Sequence, residues 1–185
     1  MNLEKFKENF TGNKLPKNLI SLNEFQNQSN KYFSESFELR FDDKSGIESW
    51  SDNKNFLEKL IPFAKANASG SMYAIWKNNE ELDLDELPIV VFGDEGGYNV
   101  VAENSLGLFQ LLTFDKEIYV DFDTIGFFKD EDDYEESPRL KEYVTWLKEN
   151  FNLDAVTETE AESIIEKAQE KFKHEFDNWV DQYLE

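Results

Sequence analysis

The sequence predicts an α+β fold in one domain spanning residues 1–185: an antiparallel β-meander packed by helices, with a long C-terminal helix. Three observations predict it. Short apolar, β-rich runs separated by glycine and asparagine turns fill residues 71–102. Apolar residues recur at helical spacing through residues 137–185. No internal repeat, low-complexity stretch or linker divides the chain, so a single core is expected.

In chain order, Pro16 opens a short helix with Leu19, Leu22 and Phe25 on one stripe. Phe37, Leu39 and Phe41 alternate with Glu38 and Arg40, the pattern of a half-buried strand ending at Asp42-Asp43. Ser45-Gly46 reads as a turn, and Asn55 to Leu60 as a brief helical turn. Ile61-Pro62-Phe63-Ala64 leads through a loop to Gly70, and Ser71 to Trp76 is the first meander strand. Ile89-Val90-Val91-Phe92 is apolar throughout, so a strand buried on both faces follows Pro88. Gly93 to Gly97 turns the chain, and Tyr98 to Ala102 returns as the third strand.

Asn104 is placed to cap a helix carrying Leu106, Phe109 and Leu112. Ile118 to Phe122 adds a further strand. Ser137-Pro138 starts a helix with Leu140, Tyr143, Val144 and Leu147 buried and a stop at Asn150. The last helix starts with a capping box, either Thr157 with Glu160 or Thr159 with Glu162. Its apolar face runs from Ile164 to Tyr183.

Charge narrows the function classes. Lys plus Arg number 19 against 40 Asp plus Glu, a net charge of −21. Residues 1–70 carry 10 acids and 10 bases, so the whole excess belongs to residues 71–185. Nucleic acid and anionic membranes are poor partners for such a chain, which has only two arginines, Arg40 and Arg139. No stretch is apolar enough to span a membrane, and the start, MNLEKFKENF, lacks the apolar run of a secretory leader. With no cysteine to form a disulfide, a cytoplasmic setting is expected. Aromatics make up 15% of the chain, which supplies enough apolar surface for a folded core despite the charge.

No enzyme motif emerges. His174 stands alone between Phe172 and Phe176, without partners for proton transfer. Asp83-Leu84-Asp85 and Asp121-Phe122-Asp123 could each offer two carboxylates to a cation, but such spacing is more often the solvent face of a strand or loop. The block from Asp130 fails as a calcium loop, since Glu135 stands where Gly is needed and Lys141 where the bidentate Glu is needed. Gly93 to Gly97 lacks the Lys-Ser/Thr of a phosphate cradle, and Asp94 and Glu95 would repel phosphate. Neither cofactor nor metal is expected. A carboxylate-dependent hydrolase would require two acids in one deep pocket.

The segment Ile61 to Leu112 resembles the SUKH superfamily of bacterial immunity proteins and fungal regulators of cell-wall glucan synthesis. The resemblance rests on Ile61-Pro62-Phe63-Ala64, Gly70, Tyr73, Pro88-Ile89-Val90, Phe92 and Asp94-Glu95. It continues through Val101-Ala102, Leu106, Phe109 and Leu111-Leu112, with Leu15-Pro16 matching the opening of an early helix. It implies an antiparallel sheet packed by helices and a role in binding and neutralising a toxin without catalysis. An intracellular adaptor is the role implied by the fungal branch. Contact residues do not transfer, because the toxin-facing surface varies across the family. An acidic protein suits a basic, nuclease-type toxin, whose substrate groove it can fill as a phosphate mimic. The candidate contacts are the turn acids Asp94 and Glu95, the pair Asp121 and Asp123, and the block Asp130, Glu131, Asp132 and Asp133.

Overall fold

Five strands pair antiparallel in chain order: β1 (Glu38–Leu39), β2 (Leu60–Lys65), β3 (Met72–Trp76), β4 (Ile89–Phe92) and β5 (Tyr98–Ala102). This is a computed structural model, and it describes residues 2–122, 124–128 and 134–184. Among the described residues, seven α-helices accompany the sheet: α1 (Leu3–Lys7), α2 (Lys17–Gln26), α3 (Ser45–Glu48), α4 (Lys54–Lys59), α5 (Ser105–Leu112), α6 (Leu140–Phe151) and α7 (Glu158–Val180). A separate hairpin joins β6 (Ile118–Asp121) to β7 (Thr124–Phe127).

Both faces of the sheet are covered. Successive strand residues point to opposite sides, so Tyr73, Ile75, Ile89 and Val91 join one core with Phe6, Leu22, Phe25, Phe109 and Tyr143. Met72, Ala74, Trp76, Val90 and Phe92 join a second core with Ile47, Phe56, Phe176 and Val180. The apolar run of β4 is the sequence trace of this double burial. Helix α7 serves both layers: Ala161 and Ile165 pack in the first core, Ala168 and Phe176 in the second. It runs beside β5, where Gln169 reaches Asn99 and the Tyr98 hydroxyl donates to Asp181.

The opposite edge is closed by side-chain amides. Gln26 donates to the Leu39 carbonyl and accepts from its N–H, while Asn9 does the same for Arg40 and Asp42. Each carboxamide supplies the donor and acceptor that another strand would bring. With α7 beside β5 and these amides beside β1, the two edges of the main sheet are occupied.

The α+β class, the meander of β3 to β5 and the long last helix stand as the sequence predicts. Several local expectations change. Ile61 to Ala64, to which the sequence assigns no element, lies in β2, its register shifted between Pro62 and Ala64, where the bulge accommodates a proline that cannot donate. The strand expected from Phe37 to Phe41 pairs with β2 over two residues only, while Gln26 and Asn9 meet the outward-facing backbone groups of Leu39, Arg40 and Asp42. Ser45-Gly46 begins α3 rather than a turn. Helix α6 ends on Asn152 in the left-handed region, φ 54°, beyond the expected stop at Asn150. Ser137 does not cap α6; its N–H and hydroxyl bind Asp115 instead. For α7, the capping box is Thr157 with Glu160.

Candidate partner-binding surface

Three of the acids named from sequence, Asp94, Glu95 and Asp121, fall on two segments that the fold brings together. Asp94 and Glu95 lie exposed in the β4–β5 turn, and Asp121 ends β6. Asp123, Asp130, Glu131, Asp132 and Asp133 lie outside the described residues. Turn and hairpin touch through glycine. A Cβ added to Gly97 would stand 2.8 Å from the carbonyl carbon and oxygen of Asp121, and one added to Gly96 would rest 3.5 Å from the Phe122 ring. Gly97 also has φ 78°, so the position needs glycine for its conformation as well as for the close approach.

Asp94 has a structural job. Its Oδ1 lies 2.8 Å from the hydroxyls of both Ser69 and Ser71, and its N–H donates to Ser71 Oγ at 3.2 Å. Burial pushes its carboxyl up, but those hydroxyls and its own N–H more than offset this and hold it below the ordinary carboxylate value. Buried Asn67 completes the junction: its Oδ1 accepts from the N–H groups of Gly70 and Ser71, and its amide donates to the Ile118 carbonyl. Three loops are thereby tied to one corner of the molecule. Glu95 and Asp121 stay exposed there, and Phe122 is 73% exposed beside them. In the sequence, Phe122 is marked only as the end of an expected strand. Its exposure comes from the hairpin, and β7 itself was not anticipated, although Thr124 to Phe127 is β-prone.

The other acid pairs are used locally. Asp83 and Glu86 form a capping box at the short 3₁₀ turn Leu84–Glu86, and Asp83 pairs with Lys14 at 2.7 Å. Asp85 accepts from the Asn18 N–H and so caps α2, whose own cap position is Pro16 and has no side chain to offer. Its burial raises its carboxyl above the usual range, against the lowering effect of N–H groups at the start of α2. His174 is exposed on α7 near Asn178. Among the described residues no group of three or more His, Asp or Glu is arranged to hold a metal ion, and no helix is long and apolar enough to cross a membrane.

Trp76 is buried, and Trp50, Trp146 and Trp179 are partly buried against the two cores. The exposed rings belong to other residues, above all those of the β6–β7 hairpin. Comparison with family models, with curated proteins and with solved structures finds no match for this chain.

Proposed function

We propose that this chain is a non-enzymatic binding protein of the SUKH immunity kind. It neutralises a basic, nuclease-type toxin in the cytoplasm by laying an acidic surface across the toxin's substrate groove. One observation carries the reading: the β4–β5 turn meets the β6–β7 hairpin where Gly96 approaches the Phe122 ring and Gly97 the Asp121 backbone, so exposed Glu95 and Asp121 share a corner with the protruding Phe122 ring while Asp94 ties the turn in place. An exposed aromatic anchor with carboxylates at the same corner is an arrangement suited to a cationic protein surface, because the ring supplies contact area and the charges steer the encounter. The excess negative charge of residues 71–185 supplies the long-range field.

The test is reconstitution with a toxin encoded beside the gene. A complex should form at low salt and abolish toxin activity, and its association rate should fall steeply as ionic strength rises. Phe122→Ser and the double change Glu95→Lys, Asp121→Lys should each weaken the complex while leaving the thermal midpoint in place. Failure to bind at low salt, or full toxin activity within the complex, would overturn the proposal.

A further inference from the structure

The outward face of the β6–β7 hairpin holds a second feature. Ile118 pairs with Phe127 and Val120 with Ile125 on the inner face, packed against the core. Tyr119 pairs with Gly126 on the outer face, and the absence of a side chain at Gly126 lets the Tyr119 ring lie over it; an added Cβ would stand 2.7 Å from the phenol oxygen. Tyr119 meets Phe128 edge-on, with centroids 5.5 Å apart. Phe128 then lines a groove of about 510 Å³ with Tyr32 and Tyr134. These four rings are 37–50% exposed. A contiguous row of exposed aromatics on one face marks a contact surface.

The groove also has a sign. Glu35, Glu117 and Glu135 line it, and the Ser36 hydroxyl sits between the carboxylates of Glu35 and Glu117. With one proton to give, that hydroxyl cannot satisfy both. A cation already lies in the groove: the Lys116 ammonium stands 3.7 Å from the centroid of the Tyr134 ring. The walls are held from behind by buried Asp115, which accepts from the Glu35 N–H and from the Tyr134 hydroxyl. A groove fixed before binding loses less conformational freedom when occupied.

We propose that this groove docks an arginine-bearing segment of a partner protein, with the guanidinium laid on the rings of Tyr32 and Phe128 within the carboxylate rim. Arginine fits better than lysine, because a planar guanidinium stacks on a ring while bonding a carboxylate in bidentate fashion. Nucleic acid is disfavoured by the three glutamates. A second copy of this chain is disfavoured too, since its two arginines are engaged: Arg139 is buried and Arg40 pairs with Asp42. The proposal shares with the toxin reading only the sign of the partner's charge.

The experiment titrates the full chain, isotope-labelled for NMR, with a synthetic Gly-Arg repeat peptide at low salt. Amide shifts should concentrate at Tyr32, Tyr119, Phe128 and Tyr134, and a lysine peptide of equal charge should bind several-fold more weakly. Phe128→Ser, an exposed position, should weaken binding by about three- to tenfold with an unchanged circular dichroism spectrum, whereas Glu166→Lys on α7 should not. Shifts spread evenly over the acids of α7, equal binding of the two peptides, or wild-type binding by Phe128→Ser would each overturn it. Because the peptide contains no toxin, those results leave the Phe122 surface to be judged by its own complex.

Discussion

Gly97 in the β4–β5 turn lies against the backbone of Asp121 at the end of β6, so closely that a methyl group would stand 2.8 Å from the Asp121 carbonyl. This contact joins the main sheet to the hairpin that carries Phe122. Gly97→Ala should therefore strain a left-handed backbone and push the hairpin away together. The expected loss is about 1–3 kcal/mol in urea unfolding, with faster amide exchange across β6 and β7. Unchanged exchange in the hairpin would show that the contact does not position it.

Asp115 is a buried carboxylate that receives four donors: the Glu35 and Ser137 N–H groups and the hydroxyls of Tyr134 and Ser137. Asp115→Ala leaves those donors without a partner, at a cost of about 3 kcal/mol. Loosening should concentrate around residues 32–37 and 134–137, which the carboxylate ties together. Chemical denaturation gives the total, and hydrogen exchange shows where the loss falls.

Arg139 is buried and closes the C-terminal end of α2. It donates to the carbonyls of Phe25 and Gln26 at 3.2 and 3.3 Å, bonds Glu142 at 2.9 Å, and stacks 4.4 Å from the Phe25 ring centroid. Arg139→Ala should destabilise the chain by about 3 kcal/mol, as those carbonyls lose their partner. Arg139→Lys should recover little, because a compact ammonium lacks the planar fork that reaches both carbonyls and Glu142 while stacking on the Phe25 ring. Comparison of the two variants by thermal unfolding checks the geometry rather than the charge.

Tyr73 and Tyr143 are enclosed in the first core, and burial pushes both phenols above their ordinary value of 10.0. The unfolded chain therefore gives up these protons first as pH rises past about 10. Stability is fully present below that pH and falls above it, since the folded state then holds more protons than the unfolded state. Tyr73→Phe should flatten this alkaline decline. Urea midpoints measured from about pH 8 to 11 decide it, and an equally steep decline in the variant would place the effect elsewhere.

Legibility followed the range of the interactions. Strands β3, β4 and β5 are readable because their short apolar, β-rich runs and the turns between them are local, and the start of α7 is readable to within the two capping boxes that the sequence offers, of which the fold uses Thr157 with Glu160. Strand β2 escaped because Pro62 argues against a strand until its bulge is seen. Ser137 had the look of a helix cap, yet its hydroxyl is drawn to Asp115, 22 residues away. Of the candidate contacts, Asp94 proved to be a turn organiser held by Ser69 and Ser71, partners that only the β2–β3 loop could deliver.

The α+β class, the double burial of β4 and the concentration of negative charge in residues 71–185 can be read from the chain alone. Periodicity and composition are enough for these, because each depends on neighbours along the chain. Tertiary structure decided which acids share a surface, that Phe122 stands out among them, and that Tyr32, Phe128 and Tyr134 line one groove. Those relationships arise where a turn, a hairpin and a distant loop pack together, and no local spacing encodes such a meeting.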